Sequence, residues 1–456
     1  MDMLRAMEGR GWLHMPGHGG DLPWLDAALD VTELPVSDDL HDPLSGGPME
    51  RAQELAAQAC GAGATLFLTG GSTLGIHAML TAYVPPGGKV ILPRDAHKAA
   101  VAACALGDLR PVYVWPRVWE QKALPDVEDI LRAVREHPDA QALYLTRPDY
   151  FGVASELAPI VQAAHSVGMR VLVDEAHGAH FPYGGDVLSA GELGADAWVQ
   201  SAHKTLPAMT QAAYLHMRDA RDKETLAERV ALLGTSSPSF LIAASLDAAR
   251  AHFAQNGKSI IEHAVCRNER FHKRIQKLGV TNAYAAWRAQ GYACDGTRIV
   301  LDVRALGRSG YEVSAVLSAA GIDVEMADAF RIVALPPLEG GGEHVERLAE
   351  ALEAIPRGRD RVPVPSWEFP RLAQVVPPRA AVFGQKEWVP ADGAVGRVAA
   401  CSVGLYPPGI PLATPGECLT ADFLRALTAA RDAGAKLFGV REEDHFLVVK
   451  EATSKR

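Results

Sequence analysis

From about residue 51 the chain alternates two hydrophobic patterns. Segments such as "MERAQELAAQACG" and "VEDILRAVREH" space apolar residues three and four apart, as a helix with one buried face does. Between such segments stand short β-branched or apolar runs: "ATLFLTGG", "KVILP", "PVYVWP", "QALYLT", "RVLVDEA" and "AWVQSA". Further helices are expected at "STLGIHAMLTAYV", "HKAAVAACAL" and "ELAPIVQAAHSVG". Buried strands separated by helices predict an α/β fold, a mostly parallel sheet with helices on both faces. Ligands of such sheets gather beyond the carboxyl ends of the strands. "TGGST", "PRDAHK", "TRPDYFG", "DEAHGAH" and "SAHKT" each follow a strand, so together they form one candidate site.

The pattern also divides the chain. Residues 1–50 are rich in Gly, Pro, Asp and His with little periodicity, and read as an N-terminal arm. Residues 51–260 form the large domain, and 261–356, with "TRIVLDVRALG", "RIVALPP" and "EHVERLAEALEAI", a smaller α/β domain. Residues 357–456 read as a Pro- and Arg-rich linker followed by a C-terminal domain, in which "LYPPGIPLATPGE" is a turn-dense loop before a final helix.

Composition narrows the function classes. A chain of 456 residues with 48% hydrophobic and 22% charged residues is an ordinary globular one. Its net charge of −10 argues against a general nucleic-acid binder, which needs a basic face. The six cysteines, among them Cys401, are scattered with no CxxC pair, so neither a zinc site nor a disulfide framework is indicated. No apolar signal core and no membrane-length apolar run are seen, which predicts a soluble, cytoplasmic protein.

Lys204, in "SAHKTLPAMTQAAYLH", is a cation at the end of a strand that reads as buried. Alone it reads as a lysine snorkelling to solvent, although a desolvated lysine is also a usable amine nucleophile. Asp174 ends "RVLVD", and a buried carboxylate needs a partner: a backbone N–H, an arginine or a protonated heterocyclic nitrogen. Ser72 and Thr73 of "GGST" open a helix, where free N–H groups and hydroxyls either cap it or hold a phosphate. A lysine for an imine, an acid for a pyridine nitrogen and a phosphate cup are together the groups required by pyridoxal phosphate. His97 in "PRDAHK" either stacks on that ring or simply starts a helix.

These residues carry a resemblance. "MPGH", "TELPVSDDLHDP", "GGSTLGIHAM", "PRDAHK", "YFGVASEL", "VDEAHGAHF", "SAHKTLPAMTQAAYLH", "TSSPSFLIAASLDAAR" and "YPPGIPLATPGE" resemble the bacterial Orn/Lys/Arg decarboxylases. Those are aspartate-aminotransferase-like (fold-type-I) pyridoxal-phosphate enzymes, and the chain is similar to the short form without the N-terminal wing domain. The resemblance implies that Lys204 is the Schiff-base lysine, His203 its phosphate-side and catalytic neighbour, and Asp174 the partner of the pyridinium nitrogen. It places Ala176 and His177 on the far side of the ring, His97 as the stacking residue, and Ser72, Thr73 and Ser201 on the phosphate. Ser236 and Ser237 match a segment that reaches the neighbouring subunit's phosphate, implying a homodimer with shared active sites, with further assembly open. Asp38, Asp39 and Asp42 are candidates for the distal cation of an amino-acid substrate, with Glu175 and Glu325 ranked behind them.

Two positions depart from the family pattern: Gly19 stands where a lysine is usual, and Cys401 where a glutamate is expected. Loss of that acid removes a charge-assisted contact worth roughly 1.5–3 kcal/mol. The leading expectation is decarboxylation of arginine, lysine or ornithine. A related enzyme with altered substrate or outcome is the second reading, and a non-catalytic regulatory homologue the third.

Overall fold

The computed structural model describes residues 11–13, 47–119, 122–124, 126–358, 370–406, 409–441 and 444–451. Gly19, Asp38, Asp39 and Asp42 lie outside the described residues.

Helix α1 (Pro48–Cys60) starts on a proline, whose missing N–H costs nothing in the first turn. It stops at Gly61, whose φ of +63° is left-handed. Strand β1 (Ala64–Leu68) leads into α2 (Gly71–Tyr83). Then follow β2 (Lys89–Pro93), α3 (Lys98–Gly107) and β3 (Arg110–Val114). Helix α4 (Val127–Glu136) is capped by the Asp126 carboxylate, which accepts from Glu128 N at 2.9 Å. Strand β4 (Ala142–Thr146), helix α5 (Ala158–Ser166) and strand β5 (Arg170–Asp174) continue the alternation. Strand β6 (Ala197–Gln200), the single turn α6 (Ala202–Thr205) and strand β7 (Ala213–Met217) complete it.

The seven strands form one sheet in the order β1-β7-β6-β5-β4-β2-β3. Strand β2 pairs parallel with β3 and β4, whereas β7 runs antiparallel to both β6 and β1. The mostly parallel sheet expected from the alternation is therefore present, with β7 reversed. Residues 201–212 supply only one helical turn between β6 and β7, not the crossover helix that a parallel pair usually takes. All four residues of β6 and all five of β7 are buried, the polar Gln200 and His216 included.

Two compact units divide the chain: Met1–Gly75 with Arg147–Leu157 and Val173–Pro363, and Ile76–Thr146 with Ala158–Leu172 and Val364–Arg456. In the first, α7 (Phe240–Ile275) runs 36 residues from its Ser239 cap. It leads to a four-stranded sheet ordered Thr281–Asn282, Ile299–Asp302, Arg331–Ala334, Met326–Ala327. Phe271, Ile275, Ile299, Leu301, Val345 and Leu348 are core residues there, joined by Leu13. Leu13 belongs to a short strand, Gly11–Leu13, that pairs in parallel with Ile322–Val324.

In the second unit, Lys386–Pro390, His445–Val449 and Val440–Arg441 make one three-stranded sheet. Val403–Tyr406, Ile410–Ala413 and Lys436–Phe438 make another. Phe423, Leu427, Phe446 and Val448 fill its core. The segment expected as a turn-dense loop thus carries the strand Ile410–Ala413, which pairs antiparallel with Val403–Tyr406 and puts Leu412 and Ala413 into the apolar core. Among the described residues no helix is long and apolar enough to cross a membrane, and no cluster of His, Cys, Asp and Glu is arranged to hold a metal ion.

Candidate active site

The site is built where β5 and β6 end side by side. Glu175 N donates to Val199 O at 2.9 Å and Ser201 N to Ala176 O at 3.3 Å, which fixes "DEAHG" beside "QSAHK". Asp174 is buried, and its Oδ1 accepts from Ala176 N at 3.0 Å. One turn beyond β6, Lys204 Nζ lies 3.2 Å from His177 Nε2. Desolvation draws the Lys204 ammonium below the usual lysine pKa; the charges of Asp174 and Glu325 oppose the shift, and Arg298 adds to it. His203 Nδ1 is 3.0 Å from Ala212 O. A carbonyl oxygen only accepts, so Nδ1 carries the proton and the neutral ring keeps its lone pair on Nε2.

Three residues absent from the sequence expectations join this group. The Tyr150 ring meets His177 edge-on, with centroids 4.7 Å apart, and the Tyr150 hydroxyl donates to Glu325 Oε1. Arg298 donates to Tyr150 O at 3.0 Å and to His177 O at 2.8 Å. Its guanidinium is held in turn by Asp295 Oδ2 at 3.0 Å. Tyr150 had a signal in the sequence, since "TRPDYFG" is one of the loops that follow a strand. Arg298, in "DGTRIV", had none.

The structure separates the two glutamates ranked last. Glu325 bonds to Tyr150, and its charge is felt at Lys204. The Glu175 carboxylate is fully buried and committed elsewhere: it accepts from Ala190 N and Gln200 Nε2, both at 2.7 Å, with Arg147 Nη1 at 3.8 Å. Burial pushes its pKa up to about 8. It serves as an internal brace, with no oxygen left over for a substrate.

Ser72 and Thr73 open α2. A Cβ on Gly75 would come within 2.6 Å of Val199 Cγ2 and 2.8 Å of Leu68 Cδ1, so only glycine lets this end of α2 approach the strands. Ser236 and Ser237 are exposed in the loop before α7. In the second unit, His97 caps α3, its Nδ1 accepting from Ala99 N at 3.2 Å. The ring abuts Gly409, where a Cβ would stand 3.3 Å from both Cδ2 and Nε2 of His97. Cys401 packs against the C-terminal core, with its thiol 3.7 Å from Gly439 O.

The residues present fit pyridoxal phosphate. The buried hydroxyls Ser201 Oγ and Thr205 Oγ1 find no hydrogen-bond partner among the described residues. Each such group costs about 1–3 kcal/mol, and an anionic acceptor would recover it. They flank Lys204 on the same turn, with the Asp174 carboxylate on the neighbouring strand.

Comparison with known proteins gives the family and the fold. Residues 19–295 match the major domain of the Orn/Lys/Arg decarboxylases, and residues 373–455 match their C-terminal domain. Arginine decarboxylase from Bacillus subtilis (strain 168) is 32% identical over 96% of this chain and 94% of its own. Among solved structures, the constitutive lysine decarboxylase of E. coli is similar at a TM-score of 0.73 and 19% identity, over 91% of this chain and 74% of that one. Alanine–glyoxylate aminotransferase from Nostoc sp. is similar at a TM-score of 0.57 and 17% identity, over 76% of this chain and 95% of that one. The two solved structures show the fold, an aminotransferase-like α/β architecture, and the long match to the decarboxylase domains shows the family. The chain belongs to the Orn/Lys/Arg decarboxylases, which are pyridoxal-phosphate enzymes.

Proposed function

We propose that the protein decarboxylates a basic amino acid to the corresponding amine and CO₂, with arginine the first candidate because the Bacillus relative is named for it. One observation carries the reading: a desolvated Lys204 amine stands beside His177, one turn after a buried hydroxyl that has no partner among the described residues. Pyridoxal phosphate, when bound, supplies a sink for the electron pair left at Cα as CO₂ departs. Ser201, Ser72 and Thr73 would hold its phosphate, Asp174 its ring nitrogen, and Ala176 one of its faces. Burial of Lys204 favours the neutral amine, whose lone pair is the nucleophile. His177 Nε2, in contact with that amine, can take or give a proton at Nζ. Return of a proton to Cα falls to Lys204, or to Nε2 of His203 once that nitrogen has itself taken up a proton; the Ala212 carbonyl fixes the ring's orientation.

The distal cation of the substrate is assigned to carboxylates, with Glu325 as the described candidate and Asp38 and Asp39 as the others. Cys401 in place of the family's glutamate would alter the preference among side chains. The exposed Ser236–Ser237 loop supports a homodimer in which each subunit completes the other's phosphate site, and a cytoplasmic setting fits the six unpaired thiols. Borohydride reduction of the holoenzyme followed by peptide mapping tests the assignment of the lysine. The modified peptide is expected to carry the cofactor on Lys204; modification of any other lysine would overturn it.

A further inference from the structure

Arg298 ties together two loops that border Lys204. Its side chain is buried and divides its donors among three acceptors on separate segments. Nη1 donates to Tyr150 O at 3.0 Å, Nη2 to His177 O at 2.8 Å and Nε to Asp295 Oδ2 at 3.0 Å. A guanidinium can do this because its N–H groups sit on different nitrogens of one rigid plane. The anchor is itself held: the buried Asp295 Oδ1 accepts from Thr297 N at 3.0 Å and Thr297 Oγ1 at 2.6 Å, with His180 Nε2 at 3.2 Å. Desolvation opposes the Asp295 charge, yet His180, Arg298 and Thr297 hold its carboxyl below the usual range.

The two clamped carbonyls belong to residues whose side chains meet. The Tyr150 and His177 rings are 4.7 Å apart, and His177 Nε2 is 3.2 Å from Lys204 Nζ. Carbonyls next to Tyr150 are gripped from the same side: Tyr284 Oη donates to Phe151 O at 2.8 Å and Asp295 N to Gly152 O at 2.9 Å. At Gly152, where φ is +81°, a Cβ would stand only 2.8 Å from Arg298 Cδ, so glycine lets the loop lie against the arginine. All of these residues belong to the first unit. A displaced guanidinium would loosen both loops, and with them the imidazole that touches the amine.

We propose that Arg298 is a positioning residue, a buried clamp that sets His177 against the Lys204 amine through the backbones of Tyr150 and His177. Arg298 does not itself touch the reacting atoms. Its role rests on the reading of Lys204 as the cofactor-binding amine, and deepens it by naming what holds the neighbouring imidazole in place.

The test is a double-mutant cycle on the holoenzyme, read by the pH midpoint of the cofactor's visible absorbance band. The clamp is removed by Arg298→Met together with Asp295→Asn, which leaves no lone charge buried. His177→Phe keeps a ring against Tyr150 and removes the nitrogen beside Lys204. The charged groups acting on the amine are Asp174, Glu325 and Arg298, with His177 in direct contact. An imidazole lone pair that accepts from Nζ favours the protonated form, so displacing His177 is expected to lower the midpoint by about half a unit. Loss of the Arg298 charge by itself would raise it, so the sign separates positioning from charge. The clamp variant is expected to lower the midpoint in the wild-type background and to leave it unchanged in His177→Phe. In steady-state assays its kcat should fall roughly tenfold with little change in KM. A clamp variant with a midpoint at or above that of wild type, or one that lowers it equally in both backgrounds, would overturn the proposal. Circular dichroism and thermal melting establish that each variant is folded. If the clamp variant does not fold, Arg298→Gln takes its place and the readout is the difference between its shifts in the two backgrounds. That difference is expected to be about half a unit, and equal shifts overturn the clamp. Borohydride mapping reads Lys204 separately, so the clamp can fail while the lysine assignment stands.

Discussion

His216 shows how much one side chain's surroundings decide. It is wholly buried between Thr65 Oγ1, 2.7 Å from Nδ1, and Gln200 Oε1, 3.1 Å from Nε2. The amide oxygen accepts, so Nε2 carries the proton and Nδ1 accepts from the threonine. Burial lowers its pKa to about 3, while the unfolded chain titrates near ~6.5. Between these values the unfolded state binds the extra proton. Stability is therefore complete above pH 6.5 and declines as pH falls toward 3, by about 2 kcal/mol at pH 5 from this residue alone. Urea unfolding at pH 7 and pH 5 should show His216→Gln losing less stability across that interval than the wild type. Equal losses would mean that the imidazole is not held neutral in the core. His216 was invisible as a titrating group in the sequence, where "AYLH" is only the end of a strand. Lys204, Asp174 and Ser201 were legible, because each polar residue interrupts or follows an apolar run at a strand's carboxyl end. Tyr150 and Arg298 act through contacts to residues 175 and 121 positions away, and no local pattern announces such pairs.

The strands of the central sheet were legible for a physical reason. "ATLFL", "KVILP", "ALYLT", "RVLVD" and "AWVQ" are short apolar runs bounded by turns, as strands covered on both faces must be. The reversal of β7 was not legible, since periodicity gives no direction. Nor was the pairing of Val403–Tyr406 with Ile410–Ala413, where prolines mask the alternation. What fixes that second strand is Arg94, just past β2. It donates to Pro411 O at 2.9 Å, to Leu412 O at 3.1 Å and to Glu417 Oε2 at 3.0 Å. Both partners of the ion pair are buried, and desolvation raises the Glu417 pKa against the pull of Arg94. Arg94→Met leaves a buried carboxylate without its partner and should cost about 3–5 kcal/mol. Arg94→Met with Glu417→Met should cost less than the single change, since no lone charge remains. Thermal melting of the two variants decides this: a double variant less stable than Arg94→Met would show that the pair itself, not charge burial, holds the strand.

At the scale of the whole molecule, an acidic chain of net charge −10 carries an aminotransferase-like α/β body and a C-terminal domain of the same decarboxylase family. The family and fold expected from the motifs are those the comparisons show, and the cofactor follows from both. Choice of substrate was the least legible property, because it rests on few carboxylates. Asp38 and Asp39 lie outside the described residues, and Cys401 stands where an acid is usual. The central claim is that Lys204 serves the decarboxylation of a basic amino acid. Release of CO₂ from carboxyl-labelled arginine, lysine and ornithine by the purified holoenzyme tests it most directly, with Lys204→Ala as the control. The account predicts release from at least one of the three and none from Lys204→Ala. No release from any of them, or undiminished release by the variant, would contradict it.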